Sequence, residues 1–482
     1  MKRRLFKAEY LPLWFSMLVM WFTLFIYIAG PVRWIDKWDV FELITILLLV
    51  LYFIAFAVGY LVRSKRLGKT AKIEEKLCEH VNWEKFLRVS IWINLFLTIS
   101  NAQIYSSTTD LFSLFGQAIK GIISPASVYY GKDASSRMGS VAVWLTFLYS
   151  PAMYVTWFLS IYKFKSLEKK EQIAVVFTFI VELARWLSVG TNKGLFDIVL
   201  LFVTFYLVLC MHYLGRRDFK TDANRLLIKR ITIVVFALLI LFFVFFGVAL
   251  SARVHGQYNE ANYANFPYNL VPKGMRFLVD KAVNYLVHGY NNMEKIIENC
   301  EFKWTFGLGN SRFSMQVFNM LFGVDLTERT YPYQLQNFGV DPLVSWHSAY
   351  SWFASDLTFA GVIGLMFLAG YYMCGVAHDV IYKKDPVAMA LLYLMILMVV
   401  NASCTNYVLA YTNGFAGFWG LVAVRWLQYH VKISKKLWHL VKGVCSACAD
   451  FCAGIRKLIR RLRIGCVKLV EFTEELIRQK RK

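Results

Sequence analysis

Recurring apolar runs dominate this sequence, each of about 20 residues, the length that an α-helix needs to cross the hydrocarbon core of a bilayer. With 58% hydrophobic and 18% charged residues in 482, the chain has too little polar surface for a water-soluble fold. It predicts an all-α polytopic membrane protein with about ten transmembrane helices. The predicted spans are Leu11–Gly30, Val40–Val62, Val89–Tyr105, Val141–Tyr162, Ile173–Val189, Gly194–Leu214, Ile231–Leu250, Leu357–Ala377, Val387–Leu409 and Gly414–His430.

The distribution of Lys and Arg predicts which side of the membrane each loop faces. If the N-terminus is cytoplasmic, the cytoplasmic segments before the tail hold 24 Lys and Arg, and the short outer loops hold six. Because cationic loops are retained on the cytoplasmic side, this orientation is strongly favoured. Ten spans then place both termini in the cytoplasm and leave residues 251–355 outside.

Four regions follow from this layout. Residues 1–250 hold spans one to seven, with a helix near 110–123 that is expected to lie in the membrane interface. Residues 251–355 form a large extracytoplasmic loop, which is partly helical because apolar residues follow Pro272 at helical spacing. Residues 356–431 hold spans eight to ten, and residues 432–482 form a basic, amphipathic cytoplasmic tail.

The tail carries much of the net charge of +23, with 14 basic and four acidic residues. Basic segments beside membrane spans bind anionic lipids of the inner leaflet, so the charge does not indicate nucleic acid. Seven of the nine cysteines fall in cytoplasmic loops, the tail or spans, which argues against a disulfide framework. Cys300 and Cys404 face outward, and the sequence leaves open whether they pair.

Four ionisable residues lie where the fifth and sixth spans meet. Ionisable groups in spans are costly and therefore suggest function. Glu182 and Arg185 are three residues apart and share a helix face, and Lys193 and Asp197 are four residues apart after a short turn. They are interpreted either as salt bridges that hold the two helices together or as an anion site. Cations at the outer membrane border suit a lipid-linked diphosphate.

The large loop supplies the other candidate residues. Arg253 and His255 follow the seventh span directly, and Asp341 and His347 precede the eighth. Arg312 follows a glycine-rich turn whose backbone N–H groups are suited to a phosphate. We expect both ends of the loop to close over Arg185 and Lys193. The sequence contains no P-loop, HExxH, GxSxG or dinucleotide-binding motif, which argues against ATP-driven transport.

Three short segments resemble motifs of one family. They are Leu187-Ser188-Val189-Gly190-Thr191-Asn192-Lys193-Gly194, which is similar to an S-G-S-[RK]-G turn, Phe306-Gly307-Leu308-Gly309, and His347-Ser348-Ala349-Tyr350 leading to Phe359-Ala360-Gly361-Val362-Ile363-Gly364. With ten spans and a large outer loop late in the chain, the sequence resembles the Wzy-like O-antigen and capsule repeat-unit polymerases. It resembles more distantly the O-antigen ligases. Both are GT-C-type glycosyltransferases.

The resemblance implies a GT-C-like enzyme of the bacterial inner membrane. It would transfer an undecaprenyl-diphosphate-linked glycan to another lipid-linked repeat unit, without metal, cofactor or nucleotide sugar. Its partners would be lipid-linked oligosaccharides, membrane lipids, and a chain-length regulator and a flippase of the same pathway.

The resemblance also implies roles for the candidate residues. The diphosphate would be held by Arg185, Lys193, Arg253 and Arg312, and the substrate-binding set would further include Glu182, Asp197 and His255. His347 would be the base for the acceptor hydroxyl, with Asp341 in reserve. Two other functions stay open: a ligase-like glycosyltransferase, and a flippase or transporter of lipid-linked oligosaccharide, which would carry charges along a central path.

Overall fold

The computed structural model describes residues 8–32, 34, 38–70, 82–130, 141–216, 218–253, 259–342 and 345–430, and all contacts discussed below lie within residues 8–425. These residues form helices and connections, without β-strands. The helices are α1 (Leu11–Ala29), α2 (Val40–Thr70), α3 (Trp83–Ser106), α4 (Leu111–Ile123), α5 (Pro125–Tyr130), α6 (Val141–Tyr162), α7 (Lys169–Leu187), α8 (Lys193–Gly215), α9 (Asp222–Arg253), α10 (Lys273–Asn299), α11 (Arg312–Phe322), α12 (Tyr331–Gln334), α13 (Ala349–Lys383), α14 (Pro386–Asn401) and α15 (Thr412–His430).

Six helices in the described part of the chain are long and apolar enough to cross a bilayer. They are Ala8–Ala29, Val40–Leu67, Val141–Tyr162, Lys193–Gly215, Asp222–Gly247 and Ala349–Lys383. The prediction of an all-helical polytopic membrane protein is confirmed at this level. The other four predicted spans fall on α3, α7, α14 and α15, which are helical but shorter or more polar.

Helices α2 and α13 pack backbone to backbone. An added Cβ at Gly59 would lie 2.0 Å from the carbonyl oxygen of Phe367, and one at Gly370 would lie 2.0 Å from that of Phe56. Small residues at such positions let two membrane helices approach backbone to backbone. The hydroxyl of Tyr52 on α2 also donates to the carbonyl of Phe359 on α13, at 2.8 Å. These two helices therefore form a fixed pair.

Helix α14 lies at the centre of the fold. Every residue from Pro386 to Leu397 is buried, so other parts of the chain surround this helix on all sides. Its 16 residues measure about 24 Å, which is less than the roughly 30 Å of hydrocarbon that a spanning helix must cross. The predicted span Val387–Leu409 is therefore too long, because the helix ends at Asn401.

An irregular segment from Ala402 to Tyr411 follows α14, and most of its residues before Tyr411 are buried. Asn401 begins it, since its carbonyl accepts the N–H groups of Cys404 and Thr405, at 3.0 Å and 2.8 Å. Asn, Ser and Thr side chains compete with helical hydrogen bonds and favour such turns. Irregular backbone at membrane depth is tolerated only where protein buries it or where it lines a polar cavity.

The described residues of the predicted loop 251–355 pack against the candidate membrane helices and do not form a separate domain. Its main helix, α10, begins after Pro272 as predicted and buries Met293 and Ile296 completely. Tyr290 of α10 lies 3.1 Å, hydroxyl to hydroxyl, from Thr23 of α1. A Cβ at Gly289 would lie 2.3 Å from the carbonyl oxygen of Ser403 and 2.6 Å from the amide nitrogen of Ser348. Helix α10 thus meets both the start of α13 and the segment after α14.

Helix α13 begins earlier than the predicted span Leu357–Ala377. It starts at Ala349, where the side chain of Ser348 caps it by accepting the N–H of Ser351. The backbone breaks at Thr358, whose φ of 64° and ψ of 163° are not helical. The break divides α13 into a short first segment, which begins at Ala349, and a long apolar segment after Thr358. It lies three residues after the predicted end of the large loop at residue 355.

Helix α4 occupies the position predicted for an interfacial helix. The carboxylate of Asp110 caps it by accepting the N–H of Ser113 at 2.9 Å. Leu114 and Ala118 face the protein, whereas Phe112 is 90% exposed. The predicted tail, residues 432–482, lies outside the described residues.

The described cysteines are all free thiols. Cys210, Cys300, Cys374 and Cys404 form no disulfide, which answers the question left open for Cys300 and Cys404. The thiol of Cys404 instead lies 3.3 Å from the carbonyl oxygen of Asn401. The fold of this region therefore does not depend on an oxidising compartment.

The contact between α2 and α13 predicts opposite effects for two Gly→Ala substitutions. Gly59→Ala forces the two backbones apart, and overpacking of this kind costs about 1–3 kcal/mol. Gly364→Ala on α13 is the matched control, because a Cβ there meets nothing within 4 Å. We expect Gly59→Ala to lower the Tm in detergent and Gly364→Ala to leave it unchanged or raise it, as Ala favours helix. A Tm of Gly59→Ala equal to the control's would contradict this contact.

Candidate functional site

A single cavity collects most of the residues that the sequence singled out. Its volume is about 460 Å³, and it lies among α3, α6, α7, α8, the start of α11 and the connections that precede α13 and α15. Six of the nine candidate residues line it, namely Glu182, Arg185, Lys193, Asp197, Arg312 and His347. Along α6 the lining extends from Thr146 to Trp157, a distance of about 17 Å at 1.5 Å per residue.

The first ion pair in the cavity is closed within α7. The guanidinium of Arg185 contacts the carboxylate of Glu182, and the indole N–H of Trp186 donates to the same carboxylate at 2.9 Å. Arg185 also lies over the rings of Tyr105 and Trp186, at 5.1 Å and 4.6 Å from their centroids. The pair is buried in one helix, so it does not link α7 to α8. The interpretation as a bridge between the two helices is wrong.

The second ion pair belongs to α8 and is enclosed by aromatic rings. The ammonium of Lys193 lies 3.1 Å from the carboxylate of Asp197 and 3.7 Å from the ring centroid of Tyr407. The rings of Tyr411 and Trp186 complete the enclosure, at 4.7 Å and 5.3 Å. The hydroxyl of Tyr407 donates to Asp197 at 2.7 Å. Lys193 is therefore the most fully engaged cation in the cavity.

Arg312 is the cation in the cavity without a carboxylate partner among the described residues. It opens α11, where the hydroxyl of Ser311 caps the helix by accepting the N–H of Ser314. Its guanidinium lies 5.9 Å from the ring centroid of Trp352, and its Nε is buried without a hydrogen-bond partner. With both carboxylates already paired to Arg185 and Lys193, the charge of Arg312 leaves the cavity positive.

The glycine-rich turn before Arg312 binds a carboxylate of the protein, which overturns the expectation of a phosphate cradle. Asp356 of α13 accepts the N–H groups of Gly309 and Asn310, at 2.7 Å and 2.9 Å. The side-chain amide of Asn310 and the hydroxyl of Thr305 also donate to it, at 2.7 Å and 2.5 Å. The N–H groups are thus occupied, and the turn positions Arg312 instead.

His347 is buried in the wall of the cavity, with 2% of its surface exposed. Both ring nitrogens lack a hydrogen-bond partner among the described residues. Burial, together with the nearby His288 and Arg312, lowers the pKa of His347 to about 3. The imidazole is therefore neutral near pH 7, with one nitrogen able to donate and the other to accept.

The remaining candidate residues are not brought to the cavity in the described part of the chain. Asp341 is exposed, and the neighbouring Pro342 and Ser345 line the wall instead. Arg253 is the last residue of α9, and its side chain is outside the described part. His255 also lies outside the described residues.

Sequence reasoning missed several residues that line the cavity. Tyr407 and Tyr411 belong to a stretch that was assigned to the end of a span and to the turn after it, where an aromatic residue carries no special signal. Ser345 lies two residues before His347, but a serine in a loop is common. Only the tertiary contacts identify these three residues.

The clamp at Asp356 predicts a measurable loss of order in the turn that carries Arg312. Asp356→Asn replaces an acceptor by an N–H₂ group that faces buried donors, and each unsatisfied donor costs about 1–3 kcal/mol. We expect a lower Tm and faster proteolysis between Thr305 and Arg312 in the full-length protein. Asp325→Asn is the control, because Asp325 is exposed and accepts only the N–H of Thr327. Equal proteolysis of the two variants would contradict the clamp.

The low pKa of His347 predicts that acid destabilises the protein. Below pH 6.5 the unfolded imidazole takes up a proton that the folded one, with a pKa of about 3, does not. The free energy of unfolding therefore decreases as the pH is lowered. The contribution of His347 to this decrease is about 2 kcal/mol between pH 6.5 and pH 5. We expect His347→Gln to lose less Tm than the wild type between pH 7 and pH 5. His378→Gln, at the other end of α13, serves as the control and should behave as the wild type does.

The chain matches no protein-family model, no curated protein and no solved structure. The geometry of the cavity is thus the observation on which a proposal of function rests.

Proposed function

We propose that this protein polymerises undecaprenyl-diphosphate-linked oligosaccharide repeat units by glycosyl transfer at the extracytoplasmic face of the bacterial inner membrane. The product would be an O-antigen, capsule or exopolysaccharide. The observation that carries the proposal is Arg312, a cation without a carboxylate partner in the described structure, beside the neutral His347 in a cavity lined partly by candidate membrane helices.

The depth of the cavity supports a substrate that is partly lipid. Helix α14 is short, and the irregular segment after it contributes Thr405, Tyr407 and Val408 to the wall. A polyprenyl diphosphate keeps its hydrocarbon in the bilayer while its charged group needs protein contacts. A polar cavity bounded by membrane helices meets both needs.

The charge of the cavity supports an anionic leaving group. Arg312 is suited to bidentate contact with phosphate oxygens, since its guanidinium is planar and always charged. Arg185 and Lys193 lie in the same cavity and can contribute positive potential without giving up their carboxylates. Arg312 is therefore proposed as the main diphosphate ligand, with Arg185 and Lys193 in supporting roles.

The aromatic lining supports a glycan. Tyr154, Trp157, Trp346, Trp352 and Tyr393 all contribute to the cavity wall. Aromatic faces pack against the apolar face of a sugar ring, and tyrosine and tryptophan add a polar group for hydrogen bonding. At about 460 Å³, the cavity is within the range of small-molecule sites and holds only the reacting ends of two glycans.

In the proposed reaction, an acceptor hydroxyl attacks the anomeric carbon of the donor. The bond from that carbon to the diphosphate oxygen breaks, and its electron pair leaves with the lipid diphosphate. Cations that stabilise the developing charge, and a group that takes the hydroxyl proton, lower the barrier. His347 is a candidate for contact with the leaving diphosphate or with the acceptor hydroxyl, because neither of its ring nitrogens has a described hydrogen-bond partner.

The proposal also includes the finer features expected from the sequence. Helices α3, α7, α14 and α15 would join the six longer helices in a ten-span, GT-C-like domain with both termini in the cytoplasm. A chain-length regulator and a flippase of the same pathway would be partners. Asp341, Arg253 and His255 remain candidates at the two ends of the large loop.

One observation favours a flippase as the second candidate. Trp157 also lines a second, separate pocket, whose polar lining residues are Asn94, Thr156, Ser160 and Thr178. A transporter needs a polar path through the membrane. This pocket has a volume of only about 10 Å³, which is room for about one water molecule and too little for a sugar.

Complementation of cells that lack the protein tests the proposal and separates the two functions. We expect such cells to carry surface glycan of a single repeat unit, and the wild-type chain to restore long glycans. Arg312→Gln should fail to restore them at normal protein level, because the leaving group loses its main ligand. Loss of one such contact lowers catalysis by about a hundredfold or more.

The control is Arg329→Gln, since Arg329 is exposed and does not line the cavity. It should restore long glycans in full. Accumulation of lipid-linked repeat units on the cytoplasmic side in the deletion strain would instead support the flippase. Long glycans with Arg312→Gln would overturn the assignment of Arg312.

A further inference from the structure

A serine and a histidine form a hydrogen-bonded pair at the edge of the cavity. Ser345 lines the cavity two residues before His347, and its Oγ lies 2.7 Å from Nε2 of His288 on α10. His288 is held in place by the ring of Trp34, with centroids 5.6 Å apart. A serine hydroxyl within hydrogen-bond distance of an imidazole is the arrangement by which proteins pass a proton between a substrate and a base.

Asn292, one helical turn after His288, donates two hydrogen bonds to the segment that carries Ser345. Its side-chain nitrogen lies 2.7 Å from the carbonyl oxygen of Trp346, which can only accept. That atom is therefore a donor, and it also donates to Oγ of Ser345 at 2.9 Å. The serine oxygen accepts this hydrogen bond and keeps its own proton, which points at Nε2 of His288 in the tautomer that carries its proton on Nδ1. Asn292 is fully buried, which keeps this geometry rigid.

From this geometry we infer that Ser345 and His288 form a proton relay that activates the acceptor hydroxyl. The inference rests on the proposed glycosyl transfer and adds the group that takes the proton. Ser345 contacts the substrate from the cavity wall, and His288 accepts the proton that Ser345 gives up. Nothing in the sequence motifs indicated either residue.

The relay accounts for every atom of the transfer. The acceptor O–H breaks as its oxygen bonds to the anomeric carbon, and the proton passes to Oγ of Ser345. The original proton of Ser345 passes at the same time to Nε2 of His288, which becomes an imidazolium. The lipid diphosphate leaves with the electron pair of the broken bond, and His288 later returns its proton to solvent.

The relay also gives His347 a distinct role. His347 faces Arg312, the proposed ligand of the diphosphate, and neither of its ring nitrogens has a hydrogen-bond partner among the described residues, whereas Nε2 of His288 is hydrogen-bonded to Ser345. His347 therefore serves as a neutral hydrogen-bond donor to the leaving group, and Ser345 and His288 serve the acceptor. Two separate sets of side chains then contact the two substrates.

A kinetic isotope experiment on the wild-type protein tests the relay directly. The probe is the lipid fraction extracted from cells that lack this chain, added to the full-length protein in detergent for a single turnover. The rate is measured in mixtures of H₂O and D₂O. Because two protons move in one step, the plot of rate against deuterium fraction should be bowed. A linear plot overturns the relay, and no turnover at all contradicts the glycosyl transfer as well.

Variants locate the two protons. We expect Ser345→Ala and His288→Gln to lower kcat by about a hundredfold with KM within about threefold, since general-base catalysis contributes about 10²–10⁴. Ser345→Thr keeps the hydroxyl and should restore kcat to within about tenfold of the wild type. His378→Gln, far from the cavity, is the control.

The alternative is that the pair only fixes the loop before α13. In that case Ser345→Ala and His288→Gln would change kcat and KM together, in proportion to a loss of Tm, and Ser345→Thr would give no rescue. That result overturns the relay while leaving the proposed function intact, because wild-type turnover would persist. The isotope plot of the wild type decides the matter even if a variant fails to fold.

Discussion

The site depends on the place where three parts of the backbone meet at Gly289. Any side chain there would collide with the carbonyl of Ser403 and the amide of Ser348, so α10 reaches both only because Gly289 has none. The N–H of Ala349 donates to the carbonyl of Ala402 at 2.8 Å, which ties the start of α13 to the end of α14 directly. The loop helix, the His347 segment and the irregular segment with Tyr407 share this one junction.

The cost of placing charges at membrane depth explains much of what surrounds them. An ion pair removed from water must recover its hydration energy from close, well-directed partners. Arg185 and Lys193 have a carboxylate each within their own helix, and aromatic rings cover both cations. Arg312 has the ring of Trp352 but no such carboxylate in the described structure. Of the three cations, Arg312 would therefore bind an external anion most strongly.

The sequence was sufficient for the features that follow from local patterns. The rarity of charge in apolar helices identified Glu182, Arg185, Lys193 and Asp197, and all four line the cavity. Local patterns also located α10 and the cap of α4 at Asp110. These predictions succeeded because each depends on residues three or four positions apart on one helix.

Features that depend on distant parts of the chain could not be predicted in this way. The pattern Gly307-Leu308-Gly309-Asn310 indicates available N–H groups, but not that Asp356, 47 residues away from Gly309, occupies them. The predicted ninth span continued through Tyr407, because the few polar residues after Asn401 lie between apolar ones and did not mark the end of the helix. The pairing of His288 with Ser345 joins residues 57 positions apart and has no local signature.

The four hydrogen bonds to Asp356 have a consequence for the growth of a polymer. They fasten the turn before α11 to α13, so the outer wall of the cavity has no hinge at that turn. In the proposed reaction, a wall held in this way around about 460 Å³ would enclose the same few sugar units in every cycle, however long the attached glycan had become. If the proposed reaction is correct, the cavity carries no measure of product length, and the size distribution of the polysaccharide must be imposed by a separate protein.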